Sequence, residues 1–184
     1  MITRIIPTIQ RKFFTTINKE ELEQLKKARY EKESVVYQRN NLILDFLFYT
    51  GIRVSELVNL KHQDYQDKSL KIHGKGNKIR HIPVPVFLVK HFNPFSPDYL
   101  FTTKNKQKLN PIQIRIMIYK KTKKAEIEKH ISPHTFRRSF ATLLNNKEVR
   151  LTTIQKLLGH SSIETTTDYI HNSFEEIYQD FSKL

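Results

Sequence analysis

The stretch from Ser34 to Tyr49 carries Val36, Leu42, Ile43, Leu44, Phe46, Leu47 and Phe48. That density leaves no broad polar side, so the stretch predicts a helix enclosed by the rest of the chain rather than one lying on a surface. Gly51 follows it and suits the left-handed position that ends a helix. A chain of 184 residues built round such a helix has room for one packed domain. Upstream, Asn18-Lys-Glu-Glu21 reads as a capping box, followed by Leu22, Leu25 and Ala28 at helical spacing. Thr50 to Leu60 restarts a short helix near Ser55, which leaves Arg53 at the junction of two buried elements. A cation there needs an anion. Two readings stay open: an ion pair with Glu56, or a guanidinium held for a bound phosphate with Glu56 orienting it.

Ser69–His73 and Ile79–Pro83 both alternate apolar with polar residues, and Gly74-Lys-Gly-Asn-Lys78 joins them. This predicts a hairpin with a basic, glycine-rich tip. Lys75 is either a solvated turn lysine or an ammonium that a mobile tip brings to a ligand. Pro85–Phe92 predicts a short helix, and Tyr99–Phe101 a brief extended piece. Asn110 caps and Pro111 opens a helix expected to run to about Glu128, with Ile112, Ile116 and Tyr119 along one side. Lys120, Lys121, Lys123 and Lys124 on its far half are either a solvated face or a stripe of phosphate contacts. Ser132 and Pro133 open the next helix, with His134 and Arg137 on one face and Phe136, Phe140, Leu143 and Leu144 inward. Val149–Leu158 predicts a helix stopped at Gly159, and His160 falls in the turn after it. Ser162–Ile170, with the β-branched Thr165, Thr166 and Thr167, predicts a weak helix carrying Tyr169. Phe174–Leu184 is too short to hold a helix alone and needs a partner surface, its own domain or a neighbouring protomer.

Composition narrows the function. Basic residues outnumber acidic ones 32 to 18, a net charge of +14 that points to a polyanion, most simply nucleic acid. There is no cysteine, so no disulfide framework and no Cys-based zinc site. No apolar run reaches the length of a membrane span, and Pro7 breaks the segment holding Arg4, Arg11 and Lys12 that a secretory signal would need. A cytoplasmic location is compatible with these features. No P-loop, His-Glu-x-x-His helix or acidic cluster occurs, so phosphoryl chemistry would proceed without a carboxylate-held metal. Arg53, Lys75, His134, Arg137, His160 and Tyr169 together supply what such chemistry requires. Two arginines clamp a phosphodiester, a histidine accepts a proton, a lysine protonates a leaving oxygen, and a tyrosine attacks.

Four ordered segments, Thr50-Gly-Ile-Arg-Val-Ser-Glu-Leu57, Gly74-Lys-Gly-Asn-Lys-Ile-Arg-His-Ile-Pro-Val84, His134-Thr-Phe-Arg-Arg-Ser-Phe-Ala-Thr142 and Leu157-Leu-Gly-His-Ser-Ser-Ile-Glu-Thr-Thr-Thr-Asp-Tyr169, resemble the catalytic domain of tyrosine recombinases, the phage integrase family, and its Xer-type branch in particular. The resemblance implies a mainly α fold with a small antiparallel β-sheet (α+β), with residues 1–12 a leader or linker, 13–172 the catalytic domain and 173–184 a C-terminal helix exchangeable between protomers. It implies that Arg53 and Arg137 bind the scissile phosphate, Lys75 is general acid, His134 assists proton transfer, His160 hydrogen-bonds the phosphate, Tyr169 is the nucleophile and Glu56 supports Arg53, with neither ATP nor metal required. Lys78, Arg80, Lys120, Lys121, Lys123, Lys124 and Arg138 are the further candidates for DNA contact. Arg138 stands where many relatives carry histidine. Expected partners are double-stranded DNA and three more protomers, or a hetero-assembly, on synapsed sites, the free protein being a monomer. A weak helix carrying Tyr169 would suit protomers that take turns. The family usually adds an N-terminal helical domain; the expectation is a naturally short member, comparable to the fimbrial-switch invertases, over one from which that domain was removed. The competing readings are a DNA-binding remnant of the same fold and a type IB topoisomerase.

Overall fold

The computed structural model describes residues 14–74 and 79–159. The described chain forms α1 (Lys19–Lys27), α2 (Ser34–Thr50), α3 (Val54–Leu57), a 3-10 turn (His62–Asp64), β1 (Tyr65–Gln66), β2 (Ser69–His73), β3 (Ile79–Pro83), α4 (Val86–Val89), α5 (Pro111–Lys124), α6 (Pro133–Asn145) and α7 (Leu151–Leu158). Helices dominate, and the strands make one antiparallel sheet in the order β1-β2-β3.

Helix α2 is the centre of the molecule. Ile43, Leu44, Phe46, Leu47 and Phe48 are all buried. Phe46 meets the rings of Phe92 and Phe101 edge-on at 5.7 and 5.2 Å, contacts worth roughly 0.5–1.5 kcal/mol each beyond the area they bury. Helix α1 is closed at its start by the expected capping box: Asn18 Oδ1 accepts from the Glu21 N–H at 2.8 Å and Glu21 returns the bond to the Asn18 N–H at 3.0 Å. Lys26 of α1 then reaches Asp45 of α2 at 3.1 Å. Before α1, the Ile17 N–H donates to Ser139 Oγ at 2.8 Å, which fastens the incoming chain to α6.

Helix α2 ends at Gly51, whose φ of +60° is left-handed. A side chain is excluded there on a second ground as well, since a Cβ would lie 2.3 Å from the Phe140 ring. This lets α6 lie close against the end of α2. The β2–β3 hairpin pairs Ser69 with Pro83 through His73 with Ile79, with Leu70, Ile72 and Ile82 facing the core. Strand β1 was not expected from the sequence. It joins β2 through Asp67 and Lys68, both at positive φ.

Helix α5 stops at Lys124 rather than near Glu128, because Glu126 turns left-handed at φ +56° and the Ala125 N–H closes on Lys121. The side marked by Ile112, Ile116 and Tyr119 is exposed, while Ile114, Met117 and Ile118 face the core. In α6, Phe136 and Phe140 are buried as expected, and Leu143 and Leu144 are half-buried. Helix α7 begins at Leu151, two residues later than expected, and ends at Gly159 with φ +63°. The helices expected over 162–170 and 174–184 lie outside the described residues.

Candidate active site

The site assembles at the carboxyl end of α7. An eight-residue helix leaves its last carbonyls without helical partners. Here three arginines from three other elements supply the missing donors. Arg80 Nε, on β3, donates to the Leu157 carbonyl at 2.9 Å. Arg137, on α6, donates through Nη2 to the Leu158 carbonyl. Arg53, at the start of α3, donates through Nη2 to the Gly159 carbonyl at 3.1 Å. The negative end of the helix dipole adds a favourable field for all three. Arg137 also donates through Nη1 to the Gly51 carbonyl at 2.7 Å, so the same guanidinium joins the ends of α2 and α7.

Glu56 balances part of this charge. Its Oε1 accepts from Arg53 Nη1 at 3.0 Å and from Arg80 Nη1 at 2.8 Å. Its Oε2 accepts from the Arg53 N–H at 2.9 Å and from Arg80 Nη2 at 2.7 Å. Burial alone would push this carboxyl up, but the Arg80 hydrogen bonds and charge, the Arg53 N–H and the Arg53 charge outweigh it and hold the pKa below the usual carboxylate value. Glu56 is therefore ionised at neutral pH, and the ion-pair reading of Arg53 is what the geometry shows: its guanidinium and its N–H are both held by Glu56.

His134 lies in the first turn of α6 and is exposed. Partial burial, then the charges of Arg138, Arg137, Arg115 and Arg53, lower its pKa from the ordinary 6.5. It is neutral at pH 7 and able to accept a proton. An anionic ligand would offset those cations and move the pKa back up.

One expected DNA contact is corrected. Lys121 is fully buried: its Nζ lies 3.4 Å from Glu31 Oε1, 3.3 Å from the Ala28 carbonyl and 4.9 Å from the Tyr37 ring centroid. It sits on the same side of α5 as Ile114, Met117 and Ile118, so it is a core ion pair and not a phosphate contact. Arg80 is turned on Glu56 and α7 and is 12% exposed, and Arg137 is 3% exposed. Lys120, Lys123 and Lys124 are exposed, with the Lys120 ammonium over the Tyr30 ring at 5.4 Å. Arg138 lies over the Phe14 ring at 4.3 Å. Lys75, Lys78, His160 and Tyr169 lie outside the described residues. Among the described residues, no three His, Asp or Glu side chains gather to hold a metal ion, and no helix is long and apolar enough to cross a membrane.

Helices with one three-stranded antiparallel sheet, and three arginines converging on one helix end, define the architecture of this chain. Residues 15–176 match the model of the phage integrase family, and the chain belongs to that family. Among its relatives, a tyrosine recombinase of Pseudothermotoga lettingae is 37% identical over 161 residues, covering 82% of this chain and 56% of the relative. Tyrosine recombinase XerC of Staphylococcus aureus is 34% identical over 170 residues, covering 86% and 57%, and a tyrosine recombinase of Thermosipho africanus is 31% identical over 185 residues, covering 97% and 64%. The chain thus spans less than two thirds of the length of these relatives. Among solved structures, XerA recombinase superimposes with a TM-score of 0.78 at 28% identity, over 93% of this chain and 65% of that one. The post-cleavage complex of XerH recombinase with its difH substrate gives 0.75 at 27% identity, over 92% and 52%.

Proposed function

We propose that this chain carries out site-specific DNA recombination by cleaving and rejoining strands through a 3′-phosphotyrosyl intermediate. The observation that carries the reading is the placement of Arg53 and Arg137 on the adjacent carbonyls of Gly159 and Leu158, directly before His160. Two guanidiniums held there present donors to the nonbridging oxygens of one phosphodiester and offset the charge that grows in the transition state.

In this reading Tyr169 Oη attacks phosphorus and the P–O5′ bond breaks. His134 assists removal of the tyrosine proton. Lys75 donates a proton to the departing 5′ oxygen, and His160 hydrogen-bonds the phosphate. A 5′ hydroxyl of another strand then attacks the phosphotyrosine, the tyrosine leaves, and a phosphodiester is restored. One ester replaces another at each step, so no nucleotide hydrolysis is needed. Residues 13–172 form the catalytic domain and 173–184 a helix that docks on its own or a neighbouring protomer. Lys78, Lys120, Lys123, Lys124 and Arg138 track the DNA backbone. The working assembly is four protomers on two DNA sites. Relatives at 34–37% identity named as tyrosine recombinases, and a solved site-specific recombinase at 27% identity, support the reading.

The test is a DNA duplex nicked beside the cleavage site, on which the departing strand diffuses away and leaves the covalent adduct. The adduct is expected with the wild-type chain, in the presence of chelator, and not with Tyr169→Phe. Adduct formation by Tyr169→Phe removes the assigned nucleophile. Binding without any adduct favours a DNA-binding remnant, and relaxed circles without joined sites favour a topoisomerase.

A further inference from the structure

We propose that Arg80 is a positioning residue for strand cleavage, fixing both anchors of Arg53: the Glu56 carboxylate and the carboxyl end of α7. The proposal rests on the recombinase reading above and adds a residue to it.

Arg53 is 39% exposed, and its guanidinium is tied at two points, to Glu56 Oε1 and to the Gly159 carbonyl. Arg80 holds each of them from behind. Its Nη1 and Nη2 grip the two carboxylate oxygens of Glu56 side by side, and its Nε holds the Leu157 carbonyl, two residues before Gly159. Gly159 itself packs on the Arg80 side chain, since a Cβ there would lie 3.0 Å from Cδ. Without Arg80, Arg53 is the one cation left bonded to Glu56 among the described residues. Oε1 then keeps Arg53 Nη1 and Oε2 keeps the Arg53 N–H, and the undivided carboxylate charge draws the guanidinium inward, away from a phosphate. The Leu157 carbonyl loses its side-chain donor at the same time. Only a planar guanidinium presents two parallel N–H groups to a carboxylate and a third to a carbonyl at its side, so lysine cannot replace it.

The backbone of the argument is local. Strand alternation puts Arg80 on the face of Ile82, and its cross-strand partner is the buried Ile72. The side chain therefore points at α3 and α7.

The test compares Arg80→Lys and Arg80→Gln with the wild-type chain on the nicked duplex. DNA affinity, the single-turnover rate of adduct formation at saturating DNA, and the unfolding midpoint are measured together. Both variants are expected to bind DNA within about threefold of wild type and to form adduct about 100-fold more slowly, the scale of loss from a small misplacement of reacting groups. Lysine is expected to restore no more than glutamine does. A loss below about tenfold, or a fall in affinity that accounts for the whole loss, overturns the proposal. If a variant does not fold, the wild-type protein decides. Its Arg80 Nε–H is expected as a separate, solvent-protected resonance with and without DNA, and rapid exchange with solvent overturns the clamp. Absence of adduct from the wild-type chain counts against the recombinase reading instead, and the same resonance still decides the clamp.

Discussion

Replacing Glu56 by glutamine tests the electrostatic frame of the site directly. The substitution preserves shape, removes one negative charge and turns one acceptor into an N–H donor facing a guanidinium. Glu56 is 8% exposed and Arg80 12%, so that pair is shielded from water, whereas Arg53 at 39% is open enough for water to replace much of what it loses. Breaking one side of a shielded pair costs about 3–5 kcal/mol. With the Arg53 share discounted, Glu56→Gln is expected to lower stability by about 3 kcal/mol at pH 7, a large part of the roughly 5–15 kcal/mol typical of a domain. The pH dependence adds a second constraint. The folded-state pKa of Glu56 lies below its unfolded value. The stabilisation is therefore complete above the ordinary carboxylate value and is lost as pH falls through the lowered one. Urea unfolding at steps from pH 7 to pH 3 should show the wild-type and variant curves converging towards acid. A gap below about 1 kcal/mol at pH 7, or one that stays constant down to pH 3, would refute the account.

Gly51→Ala is expected to cost about 2–5 kcal/mol in urea unfolding, combining the left-handed penalty with overpacking against Phe140. Lys121→Ala should destabilise by about 3 kcal/mol by removing the cation opposite buried Glu31, which keeps its hydrogen bonds from Asn40 and the Tyr30 N–H, yet leave the salt dependence of DNA binding unchanged. Lys123→Gln should leave stability within about 0.5 kcal/mol and reduce the slope of log affinity against log salt by about 0.9 if it meets a phosphate. His134 should titrate below the ordinary histidine value in the free protein and move upward when DNA binds, as followed by its imidazole resonances.

Much of the scaffold was legible because local and global preferences agree. The Asn18–Glu21 capping box, the all-round apolar α2 closed by Gly51, and the β2–β3 alternation each had one physical solution. Helix α5 was harder. Its lysine run looks uniform, yet Lys121 falls in phase with Ile114, Met117 and Ile118, and that phase was the signal that separated it from Lys120 and Lys123. Its anion, Glu31, comes from a distant segment that periodicity cannot supply. Arg80 shares the strand face of Ile82, so alternation could have turned it inward, but its basic setting beside Lys78 suggested a DNA contact. Strand β1 escaped because Asp67 and Lys68 take positive φ without the glycine that usually marks such a turn. For the site, residue types carried the reading of Arg53, His134 and Arg137, while the convergence on the end of α7 depended on tertiary packing alone.

The arginine-bound end of α7 also bears on when the cation cluster forms during synthesis. Eight residues are too few to hold a helix in isolation, so α7 gains its order from segments made well before it. Conversely, Arg53 and Arg137 lack their α7 carbonyl acceptors until Leu158 and Gly159 arrive. These contacts close long loops, and such contacts form late. A ribosome-bound chain ending before Leu157 is therefore expected to have a folded α2 core and a disorganised cation cluster, which orders only once Leu158 and Gly159 have been made.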